Sequence, residues 1–287
     1  MEQLREPIVG HLLAKAWLEQ RADKPTALGT PLRYSSALGC ERQMGYEAFG
    51  AEKTNPPGLA DAWAPGIGTE LHEALQREIL RNFPNTLFEL KTKAAPFVSG
   101  SLDGLLRSAE VRENTGIELG GTHAVWEFKT MGEYPFDKQV GFNRRYGKIS
   151  GRGEGPKLEA ITQAGLNALG AEATLGFGPQ IESLVLTSVT LATVSVNKAG
   201  QMNLGDWERF GSEWIIRRDE WEPLALEELN RMSDVAFNLD AGFLSDRNSG
   251  RFGNEYLSPR SGKNWQCDYC PFKDRCIDDG EGVVRYV

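Results

Sequence analysis

The chain has 287 residues, of which 40% are hydrophobic and 25% charged, a balance that excludes a disordered or collagen-like protein. That length buries a substantial core, and a single domain over 1–287 is expected, with an N-terminal helical part at 1–66, a core at 67–200 and a C-terminal part at 201–287. The net charge of −8 argues against a general nucleic-acid binder on bulk electrostatics, although local clustering can override the total.

In chain order, SSALGCERQMGYEAFG from Ser35 reads as a helix with a serine cap and Cys40 in its first turns. A linker rich in Pro and Gly is expected over TNPPGLADAWAPGIG, 54–68. From Thr69 the spacing of Leu71, Leu75 and Ile79 predicts an amphipathic helix with His72 and Glu73 beside its apolar stripe. Three strands follow at 86–93, 97–106 and 123–130. KLEAITQAGLNALG, 157–170, is helical, with Leu158, Ile161, Gly165 and Leu169 on one side. The β-branched stretch 183–196 suits strand and is too short and too rich in Ser and Thr to cross a bilayer as a helix. A long helix runs from Trp221 to Leu239. This order describes an α/β fold, a mixed central sheet flanked by helices. The opening MEQLREPIVG has neither a basic segment nor an uninterrupted apolar one, so no secretory signal, no membrane anchorage and a cytoplasmic location are expected.

Two of the strands carry charge where a core strand should be dry. Strand residues two apart face the same way, so Glu127 and Lys129 project together while Trp126 and Phe128 face the other side. If the strand carrying Asp103 pairs with this one, Asp103 lies close to Glu127. Two ionised carboxylates so placed repel strongly unless a cation lies between them. Mg²⁺ or Mn²⁺ suits oxygen ligands and retains water for chemistry, and a lysine beside it can orient or polarise that water, which makes metal-assisted phosphodiester hydrolysis the natural reaction class. Taken alone, an E-x-K triplet is common by chance, and a plain ion pair at a strand edge describes it equally well. Between 138 and 157 lie Lys138, Arg144, Arg145, Lys148, Arg152 and Lys157 against the one acid Glu154, with Phe142 and Tyr146 interleaved. Such a patch can track a phosphate backbone while its rings stack on bases, or it can be a solvated loop.

The four cysteines divide as Cys40 alone and Cys267, Cys270 and Cys276 in CDYCPFKDRC. Four thiolates hold either a tetrahedral zinc or an iron-sulfur cluster, and spacing by itself barely separates the two.

GTELHE (68–73), GSLDG (100–104), WEFKT (126–130) and the helical Gln163 together resemble, in order and spacing, the RecB-like branch of the D-(x)n-E-x-K nuclease superfamily. The likeness runs from Cys40 to Cys276, and the remote cysteine, the C-terminal triplet and CERQMGY (40–46) resemble the iron-sulfur CRISPR-associated exonucleases of that branch. The resemblance implies a restriction-endonuclease-like core, with Asp103 and Glu127 as carboxylate metal ligands, His72 and the backbone carbonyl of Phe128 as further ligands, and Lys129 as the catalytic lysine. It implies a structural [4Fe-4S] cluster on Cys40, Cys267, Cys270 and Cys276 that clips the N-terminal helix to the C-terminal tail. Arg144, Arg145, Tyr146, Lys148 and Gln163 would contact DNA. One departure stands out: where the family often carries a tyrosine four residues after the glutamine, this chain has Asn167. The expected function is a Mg²⁺- or Mn²⁺-dependent DNA exonuclease on single strands, with partner proteins of recombination, phage or CRISPR adaptation. The alternatives are a non-catalytic nucleic-acid-binding module and a zinc-clipped interaction protein.

Overall fold

A computed structural model of the chain describes residues 15–19, 31–56, 58–143, 148–149, 153–176, 180–191, 211–245, 267, 270–280 and 282–286. The chain divides into two compact units, one made of Met1–Leu32, Leu38–Ala74 and Arg231–Val287, the other of Arg33–Ala37 and Leu75–Asn230. Among the described residues no helix is long and apolar enough to cross a membrane.

The second unit holds a mixed four-stranded sheet in the order β4-β5-β8-β9, formed by β4 (Gly104–Arg107), β5 (His123–Met131), β8 (Ile181–Thr190) and β9 (Gly211–Arg217). β5 pairs antiparallel with β4 and parallel with β8, and β9 runs antiparallel to β8. A smaller sheet has the order β1-β3-β2, built from β1 (Leu32–Arg33), β2 (Leu90–Ala95) and β3 (Val98–Leu102). With helices on its sheets, the unit is the mixed α/β arrangement that the alternation of elements predicts.

Further helices are α1 (Glu41–Ala48), α2 (Leu59–Asn82), α3 (Ser108–Thr115), α4 (Glu133–Val140), α5 (Leu158–Leu175), α6 (Arg218–Asp240) and α7 (Lys273–Asp278). The small strands β6 (Phe142–Asn143) and β7 (Lys148–Ile149) pair with each other, as do β10 (Phe243–Leu244) and β11 (Val284–Arg285). α5 packs on β2, β3, β5 and β8. It does so through Ala164, Ala168 and Ala171, all fully buried with Leu102, Leu105, Val125, Ile181 and Leu184, and small side chains let the helix axis come close to the sheet. At Gly165 a Cβ would lie 2.8 Å from that of Ala225 and 3.2 Å from the Trp221 ring, so only glycine fits against α6 there.

Several boundaries differ from the sequence expectation. The helix expected from Ser35 begins at Glu41, because Leu38 stands at φ 59°, a conformation no helix continues through. The residues before it form a 3₁₀ turn, Tyr34–Ser36, anchored by the buried Tyr34, whose Oη accepts the Ala94 N–H. The expected linker at 54–68 is helical from Leu59, with Pro65 inside α2, where Thr69 Oγ1 donates to the Pro65 carbonyl. The strand expected at 86–93 starts only at Leu90, after Glu89 at φ 50°. The strand expected at 97–106 is two strands in two different sheets, β3 and β4, with Asp103 at the change. Of the stretch 183–196, the part after Leu191 lies outside the described residues.

In the first unit a small core of Tyr46, Leu244 and Phe272 is joined by Phe49, Leu239, Cys270, Cys276, Val284 and Tyr286. Arg42 is completely buried. Its guanidinium donates to the carbonyls of Ser245 (2.9 Å), Gly280 (2.8 Å) and Gly282, so three backbone acceptors from β10's flank and the C-terminal segment end on one side chain of α1.

Candidate metal centre

β5 runs between β4 and β8, and its middle is buried. Glu127 is 0% exposed, and Lys129 Nζ lies 2.6 Å from its Oε1. Trp126 and Phe128 point to the other face, their rings stacked with centroids 5.9 Å apart, as strand alternation requires. The register Gly104↔Trp126 sets Asp103 opposite Glu127. β4 reaches only to Gly104, and just past it the Asp103 carboxylate takes the ladder's next bond: Oδ2 accepts the Phe128 N–H at 2.8 Å. In a strand a residue's N–H and C=O leave by the same edge, so the Phe128 carbonyl also points towards the side where Asp103 sits.

α5 supplies a second tier. Gln163 Oε1 accepts from Lys129 Nζ at 3.0 Å, and Asn167 Nδ2 donates to Glu127 Oε2 at 3.3 Å. From α2, Gln76 Nε2 donates to Glu89 Oε1 (3.1 Å) and to the Asp103 carbonyl (3.4 Å). Ser101 Oγ donates to Glu89 Oε2, and a carboxylate oxygen of Glu89 comes within 4.8 Å of one of Asp103. His72 is half-buried on α2, four residues before Gln76 and therefore on the same helix face.

Burial pushes Asp103 up to about 6, against the pull of the Phe128 N–H and of Lys129, and the Glu89 charge adds to the rise. Burial likewise pushes Glu127 up to about 7, opposed by Lys129 and reinforced by Asp103. Burial draws Lys129 down, but the charge and hydrogen bond of Glu127 together with Asp103 outweigh it and hold the ammonium above the ordinary lysine range. One lysine thus faces one buried and one half-buried carboxylate with Glu89 alongside, and the surplus is negative. All the carboxylate donors are hard oxygens, so the set fits a divalent cation of the Mg²⁺ or Mn²⁺ type.

Asp103, Glu127, Lys129 and Gln163 are brought together by the fold. Gln163 meets Lys129. Arg144, Arg145 and Tyr146 lie outside the described residues, and Lys148 is placed by the pairing of Asn143 with Lys148. Lys138 is engaged by Glu154 at 3.3 Å and lies over the Tyr134 ring. Sequence reading missed Gln76 and Glu89. For Gln76 the signal was present, one turn beyond His72. For Glu89 there was none, because its place depends on the left-handed backbone at that residue.

Cys40 is the N-cap residue of α1 and Cys276 lies within α7. Burial pushes the Cys270 thiol up to about 12, and the nearby Cys40, Cys276 and Cys267 add to the rise. The Cys40 thiol is raised by burial, with Cys276 contributing. The four cysteines form no disulfide with one another, and among the described residues no three of their sulfurs lie within 4.8 Å of one another. All four fall in one unit.

No protein-family model and no curated protein matches the chain. Among solved structures it is similar to the crystal structure of SSO0001, at 20% identity over 94% of this chain and 96% of that one, with a TM-score of 0.51. It is also similar to an alkaline exonuclease, LHK-Exo from Laribacter hongkongensis, at 16% identity over 79% of this chain and 93% of that one, with a TM-score of 0.44. The likeness to SSO0001 is one of fold and spans nearly the whole of both chains; the second, looser likeness carries no inference.

Proposed function

We propose that the chain is a divalent-metal-dependent deoxyribonuclease, an exonuclease on single-stranded DNA, with a restriction-endonuclease-like core. The observation that supports this best is the pairing of half-buried Asp103 with fully buried Glu127, in negative surplus, beside a lysine held charged and oriented by Glu127 and Gln163. In this reading Asp103 and Glu127 are the carboxylate ligands of Mg²⁺ or Mn²⁺, with the Phe128 carbonyl and His72 completing the protein's share. The bound ion supplies Lewis-acid polarisation of a phosphate oxygen and eases deprotonation of water.

The chain's own groups do the rest. Lys129, with one N–H on Glu127 and one on Gln163, has a third to give, and it directs that N–H at the attacking water or at a non-bridging phosphate oxygen. A charged lysine is no base, so the proton of the attacking water passes to solvent. The water oxygen bonds to phosphorus, the bond from phosphorus to the departing sugar oxygen breaks, and that oxygen takes a proton from solvent as it leaves. Arg144, Arg145, Tyr146 and Lys148 would hold the strand. Cys40, Cys267, Cys270 and Cys276 are assigned to a structural [4Fe-4S] cluster; support comes from their falling in one unit, with Cys270 and Cys276 packed against one small core and Cys40 at the start of α1, and iron and sulfide content after anaerobic purification, against zinc content, decides it.

End-labelled single-stranded DNA incubated with Mn²⁺ tests the reaction. Wild type shortens the label from an end, and chelation stops it. Lys129→Ala and Asp103→Ala lower kcat by on the order of 10²–10⁴ without altering the circular dichroism. Wild-type rates in either variant would remove this site from the reaction.

A further inference from the structure

We propose that Asn167 is a positioning residue of the metal centre: its amide fixes the Glu127 carboxylate in the orientation that coordination uses, and so sets how tightly the ion is held. The inference rests on the metal reading above.

Gln163 and Asn167 are one turn apart on the face of α5 that meets β5. Their amides address the two ends of one ion pair with opposite polarity, Gln163 as acceptor for the Lys129 ammonium and Asn167 as donor to Glu127 Oε2. Lys129 holds Oε1 and Asn167 holds Oε2, so the carboxylate plane is fixed at both oxygens, and each oxygen keeps a lone pair for a further ligand.

Asn167 is an expensive residue where it stands. It is 0% exposed, among the buried Ala164, Leu166, Ala168 and Ala171 of the same helix. Among the described residues its Oδ1 has no hydrogen-bond partner, and an unmet buried acceptor is costly where an apolar side chain would not be. What the amide gives in return is the bond from Nδ2 to Glu127. This is also the position where the family resemblance leads one to expect a tyrosine, and here the shorter amide meets the glutamate directly.

Mn²⁺ binding to the purified full chain at pH 8, followed by the electron paramagnetic resonance of the free ion, tests this. Asn167→Leu and the smaller Asn167→Val both remove the donor, and the pair guards against one of them failing to fold. Thr162→Val alters another fully buried side chain of α5 whose hydroxyl is unpartnered among the described residues and serves as the control for disturbance of the helix. The expected result is a 10–100-fold weaker Mn²⁺ affinity in both Asn167 variants, with Thr162→Val within twofold of wild type in affinity. Wild-type affinity in the folded Asn167 variants overturns the inference and leaves the metal reading standing. Equal binding by wild type and Glu127→Gln overturns the metal reading, and the inference with it.

Discussion

At Asp103 the chain leaves one sheet and enters another, and that change of sheet is what frees its carboxylate to take the Phe128 N–H in place of a strand partner. Glu127 lies opposite it, in a buried row, and both hold their protons to higher pH than carboxylates in water. The sign of the consequence follows from the direction of those shifts. In the metal-free protein, an acid whose folded pKa is raised contributes stability below its unfolded value, and that contribution is lost as pH rises through the folded value. The metal-free protein is therefore expected to melt lower at pH 8 than at pH 5, the loss falling between about 4 and 7, and Mn²⁺ should raise the melting temperature more at pH 8, where both carboxylates are ionised. A Mn²⁺-induced gain that is the same at both pH values contradicts the assignment of these two groups as ligands. Glu127 and Lys129 were legible in the sequence because a period of two is enough to pair them on one face, and Asp103 because only one strand register brings it opposite. Glu89 was not, since it reaches Asp103 through its own left-handed backbone, whereas Gln76 had a signal in its place one turn beyond His72.

At the scale of elements, α5 decides the geometry of the centre, because it carries both amides and lies against four strands. Its closeness depends on residues without bulk. Replacing Gly165 by alanine gains about 1 kcal/mol of helix propensity, but the new Cβ would sit 2.8 Å from that of Ala225, closer than packed carbons tolerate. Gly165→Val should therefore destabilise by about 1–3 kcal/mol in urea unfolding, with a matching loss of cleavage at temperatures near the transition. A neutral or stabilising result would mean that α5 does not pack on α6 as described. Periodicity located α5 and α6 within a few residues, and the strand β5 nearly to its ends. It placed the start of α1 six residues early, because a serine is a good cap in isolation and the anchoring of Tyr34 against Ala94 is a tertiary fact. It read helix as linker at 59–68, because Pro65 sits deep enough inside α2 to resemble a break.

For the whole molecule, the division into two units separates the acid centre from the cysteines by sequence as well as by fold: Asp103, Glu127 and Lys129 lie in Leu75–Asn230, and all four cysteines in the other unit. In that unit Arg42 gathers three carbonyls from the C-terminal part of the chain onto α1. Arg42→Met leaves the buried Ser245 carbonyl and two half-buried glycine carbonyls without this donor, at a cost of about 1–3 kcal/mol. Hydrogen exchange should show protection lost over 38–56 and 270–286 before it is lost in β5 and β8. Simultaneous loss everywhere would mean that the two units unfold as one. The net charge gave no hint of a nucleic-acid substrate, since the whole chain is acidic; that reading comes from the local chemistry of one strand and its neighbours.

That Asp103 and Glu127 hold a catalytic divalent ion is tested by a side-by-side titration of wild type, Asp103→Asn and Glu127→Gln with Mn²⁺, reading bound ion and cleavage of end-labelled single-stranded DNA in the same samples. One stoichiometric site whose occupancy parallels cleavage in wild type, and the loss of both in each variant, is the predicted result. Cleavage that persists in the variants, or wild type that binds no Mn²⁺, would contradict it.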